Sequence, residues 1–340
     1  MRAAVYVGHG RVEIREWPMP VIGPGDLLLR LRGCGLCGSD IVKIVRESVT
    51  PPAVFGHELV GEIVEVGKDV EDFRVADRVV VAHHVPCLTC HYCRRGSPSM
   101  CRRFKEQSLD PGGFAEYIRV PAPNVRHATF RIPDERISDE EASFAEPLAC
   151  CLRAVKRSQL TAGDSALVVG LGSIGLMFVQ LLHRLGCLVL AMETIPTRQA
   201  MGRELRAIVP ESAERAAEVV RDLTGGRGAD CVMVTAGGGS AIQWGERLVR
   251  DGGQLHLFAS GDAAHLPIPV DRLYHRELTV TATYSSSPAE LGEAFELICR
   301  GDVRVKGLMT HRLPLERLDE AVSLTRSHQA MKVFITGERE

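Results

Sequence analysis

The amino-terminal part of the chain carries short apolar runs broken by Gly and Pro, among them "DLLLRLRGCG", "ELVGEIVEVG" and "DRVVVAHHVP". Runs of this length, rich in Val and Leu and bounded by turn residues, predict β-strands of an irregular, mostly β region. Near residue 150 the texture changes. "SALVVG" (165–170) predicts a strand, "SIGLMFVQLLHRLG" repeats its apolar positions with the period of a helix, and "CLVLAM" predicts a second strand. The alternation continues with "ERAAEVVRDLTG" as a helix, "ADCVMVTA" as a strand, "AIQWGERLVRDGG" as a helix and "QLHLFA" as a strand. Strands that alternate with helices predict a doubly wound α/β parallel sheet covered by helices. The pattern therefore divides the chain into a β domain over residues 1–150 and an α/β domain over residues 151–285. The last segment, 286–340, leaves the strand–helix rhythm at "VRVKGLMTHRLPLERLDEAVSLTRS" and is expected to return to the first domain.

Length agrees with a division, because 340 residues exceed what one core comfortably serves. A chain 45% hydrophobic and 25% charged has an ordinary globular composition. Its net charge of −2 and the lack of a basic run argue against nucleic acid or an anionic membrane as partner. No apolar run approaches the roughly 18 to 20 residues of a membrane span. The opening "MRAAVYVGHGRVEIREW" lacks the apolar centre of a signal peptide. The expected location is the cytoplasm, where thiols stay reduced.

Reduced thiols change the meaning of "PCLTCHYCRRGSPSMC", residues 86–101. Cys87, Cys90, Cys93 and Cys101 follow a C-x2-C-x2-C-x7-C spacing. Two-residue gaps aim successive thiolates at one point, and a fourth closes the tetrahedron zinc prefers. Four thiolates leave no open coordination position, so such a zinc is structural. An iron–sulfur cluster accepts the same donors. His91, inside the motif, reads as a solvated loop residue.

In the α/β half, Gly170, Gly172, Ser173, Ile174 and Gly175 belong to a G-x-G-x-x-G that follows a strand and opens a helix, the context in which the pattern carries weight. Its glycines permit a tight turn and bring a helix N-terminus to a pyrophosphate. Glu193 ends the second strand, where a carboxylate accepts from the adenosine ribose hydroxyls and repels a 2′-phosphate. Arg198, nearby, suits a 2′-phosphate. NAD is expected over NADP.

These motifs occur with C-G-x-C-G-S-D at Cys34–Asp40, G-H-E at Gly56–Glu58, "GGFAEY" at Gly112–Tyr117 and "EPL" at Glu146–Leu148. Taken in this order, and over essentially the full length, the chain resembles the zinc-dependent medium-chain dehydrogenase/reductases. It is most similar to their polyol branch of sorbitol, galactitol-phosphate and threonine dehydrogenases. The resemblance implies a GroES-like catalytic domain bearing the zinc lobe, a Rossmann domain, and an active site in the cleft between them. It also implies two Zn2+ per chain, the catalytic one held by Cys37, His57 and a carboxylate. Glu58 and Glu146 compete for that third place, one direct and the other through water or in an alternate state. Cys150 and Cys151, a turn beyond Glu146, read as core thiols. The implied reaction is zinc-assisted transfer of hydride from an alcohol to the nicotinamide, with Ser39 receiving the alcohol proton. Many relatives continue that relay with a histidine where this chain has Val42. Lys43 follows it, without a geometric reason for a role.

Tyr284, Ser285 and Ser286 lie near positions where sorbitol dehydrogenases carry an arginine–tyrosine pair that holds sugar hydroxyls. Serines there make sorbitol itself doubtful and suit a polyol, cyclitol or aminocyclitol. Relatives imply a homodimer or homotetramer joined through the nucleotide domains.

Overall fold

The computed structural model describes residues 1–106, 108–133, 136–236, 238–259 and 265–338. They form two compact units, Met1–Ala149 with Ser286–Glu340 and Cys150–Ser285.

The first unit is built on the strand Leu27–Gly35, in which every residue but Arg30 and Arg32 is buried. It pairs antiparallel with Glu58–Val66 along its whole length, the register running from Leu27↔Val66 to Gly35↔Glu58. Its other edge is shared. Tyr117–Val120 pairs with residues 27–30, and Val333–Thr336, near the chain's end, pairs with residues 33–35. Arg78–Val81, Thr129–Arg131 and His311–Pro314 complete a seven-stranded sheet. A three-stranded sheet of Arg2–Gly8, Arg11–Glu16 and Ala53–Val54 accompanies it. The core beneath gathers Leu27, Leu29, Ile63, Ile118, Val333 and Ile335, each fully buried.

The second unit is a five-stranded sheet, parallel throughout, in the order Leu188–Met192, Ser165–Val169, Ala229–Val234, Val249–Leu257, Thr279–Ala282. A parallel bridge from Leu190 to Ile208 extends its first edge. From the strand Ser165–Val169 the chain moves first to Leu188–Met192 on one side and then to Ala229–Val234 on the other. That reversal opens a crevice at the carboxyl ends of the strands. Strand Ser165–Val169 is buried along its whole length, which explains its unbroken apolar run.

One element departs from the sequence reading. "AIQWGERLVRDGG" is helical only as part of Gly239–Glu246, and Val249–Leu257 is a strand. Its partner Ala229–Val234 takes Val249 opposite Ala229 and then Gln254 opposite Cys231. The exposed Asp251 and Gly252 bulge out between the two pairings, with Gly252 at φ 66°.

Candidate active site and metal centres

The pairing Gly35↔Glu58 sets two chain segments side by side, one leading to Cys37 and the other to His57. Cys37 caps the helix Gly38–Val45, and Asp40, at its third position, accepts from the Cys37 amide at 3.3 Å. The ligand atoms of Cys37, His57 and Glu58 come within 4.8 Å of one another. His57 and Glu58 are buried. Asp40, completely buried, stands 3.2 Å from His57 Nδ1, which leaves Nε2 facing the thiol and carboxylate. Burial works against a charged His57, but Asp40 and then Cys37 raise its pKa well above the usual value. A cation bound by Nε2 must therefore displace a proton.

Glu58 has an ionic partner that local sequence does not announce. Lys332, buried beside the strand Val333–Thr336, places its Nζ 2.5 Å from the carboxylate. The ammonium faces both carboxylate oxygens: Oε1 accepts a hydrogen bond from it, and Oε2 lies at ion-pair distance without a hydrogen bond. Burial, the largest single influence, lowers the Lys332 pKa, but Glu58, Cys37 and Glu146 together give a net rise. Gly35 makes the pair possible, because a Cβ there would sit 2.0 Å from Glu58 Oε2 and 3.1 Å from Lys332 Cε.

Ser39 is exposed at the start of the same helix, its Oγ 3.4 Å from His57 Nε2. Glu146 is buried near the start of the helix Ala145–Arg157 and does not join the three-ligand group. Three rings continue outward from His57: His83 at 4.8 Å between centroids, His84 at 4.1 Å from His83, and Phe104 at 5.0 Å from His84. Burial first, then the neighbouring cations, push the His83 pKa well below the usual value. Among the described residues its nitrogens have no hydrogen-bond partner.

The lobe thiols converge as a second group. Cys90 Sγ lies 3.5 Å from Cys93 Sγ, and Cys87 Sγ lies 4.0 Å from it. A tetrahedron with metal–sulfur bonds of about 2.3 Å has edges of about 3.8 Å, so the spacing fits zinc. The amides of Thr89 and Cys90 and the Thr89 hydroxyl lower the Cys87 pKa to about 6, against a smaller effect of burial. Cys150 and Cys151 are buried and lie outside both groups.

In the second unit, Gly170 turns the chain at φ 96°, and a Cβ on Gly175 would meet the Gly170 carbonyl oxygen at 1.9 Å. A Cβ on Gly172 would meet nothing within 4 Å, so backbone is left open to a ligand. Ser173 and Ile174 begin the helix Ser173–Leu185, whose first amides have no partner within the helix. Glu193 is buried at the end of its strand. Its Oε2 accepts from Leu171 N at 2.8 Å, and its Oε1 from Thr194 N at 2.6 Å and Ile195 N at 3.0 Å. The carboxylate thus braces the glycine turn itself, a task the sequence reading did not give it. The Arg198 side chain has no hydrogen-bond or ion-pair partner among the described residues.

Two family models match the chain: the alcohol dehydrogenase GroES-like domain over residues 23–134 and the zinc-binding dehydrogenase over residues 173–300. An L-threonine 3-dehydrogenase of Symbiobacterium thermophilum is 31% identical over 96% of this chain and 94% of that protein. The chain belongs to the zinc-binding alcohol dehydrogenases. The family consists of oxidoreductases acting on CH–OH donors. This dehydrogenase is also 29% identical to a sorbitol dehydrogenase of Bacillus subtilis, over 100% of this chain and 98% of that protein. Alcohol dehydrogenase TADH from Thermus sp. ATN1 superposes with a TM-score of 0.86 at 30% identity, covering 99% of both chains. Two further neighbours carry dinucleotides. A zinc-binding dehydrogenase of Sinorhizobium meliloti is bound to NADP (TM-score 0.86, 27% identity, 98% of both chains). An alcohol dehydrogenase of Escherichia coli CFT073 is complexed with NADH (TM-score 0.85, 26% identity, 99% of both chains).

The main chain at the expected substrate residues is held by an arginine, which leaves their side chains uncommitted. Arg153 Nη1 donates to the carbonyls of Tyr284 at 2.8 Å and Ser285 at 3.2 Å. Tyr284 is 61% exposed and Ser286 is buried. Sequence reading missed Asp40, His83 and Lys332. Asp40 was legible as the acid one helical turn from Cys37, and His83 as half of a rare His-His pair. Lys332 gave no local signal.

Proposed function

We propose that the protein is a zinc-dependent, NAD-linked dehydrogenase that oxidises the secondary alcohol of a polyol, cyclitol or aminocyclitol. The convergence of one thiol, one imidazole and one carboxylate carries this reading. That donor set nearly neutralises Zn2+ and leaves a coordination position open. Glu58 is the direct carboxylate ligand, since one of its oxygens lies within 4.8 Å of the Cys37 and His57 ligand atoms, and Glu146 is the outer acid. Bound there, zinc supplies Lewis-acid stabilisation of the negative charge that develops on the alcohol oxygen.

The chain's own groups do the rest. Asp40 fixes the His57 ring so that Nε2 faces the metal. Lys332 balances the buried charge of Glu58. Ser39 takes the alcohol proton and, being exposed, passes it to water without the histidine that Val42 replaces. His83, neutral and without a protein partner, accepts or donates to a second substrate hydroxyl, which favours a polyol over a simple alcohol. The Gly170–Gly175 turn would hold the pyrophosphate of NAD, and Glu193 would accept from its adenosine ribose. The second zinc, in the Cys87, Cys90, Cys93 and Cys101 lobe, is structural. A cytoplasmic homodimer or homotetramer is expected. The half-exposed edge strand Thr279–Ala282 and the adjacent Val270 and Tyr274, each 77% exposed, support a contact through the nucleotide units.

A panel of polyols, cyclitols, simple secondary alcohols and L-threonine, read by nicotinamide absorbance with NAD and NADP, tests the reading. The expected result is NAD reduction with cyclic or linear polyols. Turnover of L-threonine alone would replace the substrate class, and preference for NADP would show that Arg198 outweighs Glu193.

A further inference from the structure

Beside the four-thiol lobe lies a cavity of about 410 Å³ whose lining is strongly basic. Three elements supply its cations. Arg103 comes from the short helix Arg102–Glu106, Arg119 from the strand Tyr117–Val120, and Arg126 with His127 from the last turn of the helix Ala122–Ala128. Cys87 forms part of the wall.

The carboxylate lining the cavity, Asp26, is already spent. It is buried, and its oxygens accept from Gly23 N at 2.7 Å, Arg119 Nε at 2.7 Å and Ala122 N at 2.8 Å. Those bonds hold Asp26 and Arg119 as a fixed pair. Arg103 and Arg126 have no hydrogen-bond or ion-pair partner among the described residues. Two guanidinium groups from different elements, without carboxylates of their own, therefore line one concave site on a chain whose net charge is −2. Guanidinium forks match the oxygens of a phosphate in paired hydrogen bonds, and a dianion satisfies both at once.

We infer that this cavity binds a phosphate group, free or as the ester of a small metabolite, between Arg103 and Arg126. It is a site separate from Cys37, His57 and Glu58 and from the Gly170–Gly175 turn, and it borders the four-thiol lobe through Cys87. Because Cys87 belongs to the same wall, an occupant there adjoins the structural lobe and is placed to act as an effector.

The test is calorimetric titration of the zinc-loaded protein with inorganic phosphate and with phenyl phosphate, at constant ionic strength and with NAD saturating so that the glycine turn is filled. The wild type is expected to show saturable binding of at least one of the two. The double substitution Arg103→Ala with Arg126→Ala should weaken it on the order of tenfold or more, with zinc content and NAD affinity unchanged to show an intact fold. Arg126→Lys alone should retain part of the affinity. Absence of saturable binding to the wild type, or equal binding by the double variant, overturns the inference. Neither result bears on the dehydrogenase reading, whose test is turnover.

Discussion

Single residues carry the sharpest energetic consequences. Lys332 and Glu58 are a buried ion pair, and removing one member of such a pair leaves an uncompensated charge that costs about 3–5 kcal/mol. Lys332→Met should therefore lower the urea midpoint of the metal-free protein strongly. Lys332→Met with Glu58→Gln should recover most of the loss. Equal destabilisation of both variants would mean that the lysine acts through packing alone. His256 offers a pH test. It is fully buried, its Nε2 is 3.0 Å from Thr283 Oγ1, and its Nδ1 has no partner. Burial, then the charge of Arg157, push its pKa down to about 4. An unfolded histidine titrates near 6.5, so protons favour the unfolded chain. Stability is unaffected by this group above that pH and falls as the pH drops from about 6.5 towards 4, by on the order of 2–3 kcal/mol at pH 4.5. His256→Gln should make the acid limb shallower in urea melts at pH 7 and 4.5, and an unchanged limb would refute this origin. Legibility at this scale follows distance along the chain. Cys37, His57 and Glu58 stood in compact motifs, whereas Lys332 reaches Glu58 only because the last strand pairs beside the third. No local pattern encodes that contact.

Elements were read best where period and punctuation agree. Ser165–Val169, Ser173–Leu185 and Leu188–Met192 fall within the expected runs, because a buried parallel strand is apolar throughout and Gly186 ends its helix in the left-handed conformation. The run from Ala241 failed for a physical reason. "RLVRDGG" looks like a helix end with a glycine stop, yet pairing of Val249 with Ala229 gives those residues a sheet partner, and Gly252 absorbs the excess as a bulge. The glycine turn gives a test that separates folding from ligand binding. Gly172→Ala meets no protein atom within 4 Å, so the unliganded protein should melt unchanged while NADH binding weakens about tenfold or more in a fluorescence titration. Gly175→Ala, with 1.9 Å to the Gly170 oxygen, should disturb both. Unimpaired NADH binding by Gly172→Ala would place the dinucleotide elsewhere.

At the scale of the whole molecule, the change of texture near residue 150 announced an α/β nucleotide-binding fold beside a β fold, and the family models bear out that class. The pairing of Phe334 with Gly35 was beyond reach, since register depends on contacts some 300 residues apart. Two groups of candidate metal ligands, proposed to hold one zinc each, then predict two separable failures. The lobe over residues 86–101 has little core of its own: Cys101 and Ser99 are buried, while Leu88, Tyr92 and Met100 stand at least 37% exposed. Without metal, four converging thiols and their amide donors have nothing to hold them, and metal binding here amounts to folding free energy. The catalytic group differs, because Lys332, Asp40 and the paired strands keep it in place without the ion. Elemental analysis should give about two zinc ions per wild-type chain. Cys101→Ser should lose one of them, melt earlier and become sensitive to trypsin at Arg94, Arg95, Arg102 and Arg103. His57→Ala should also lose one, yet resist trypsin as the wild type does and lose turnover. Trypsin sensitivity of the lobe in His57→Ala, or its protection in zinc-depleted Cys101→Ser, would show that the two centres are not independent and that the division of roles is wrong.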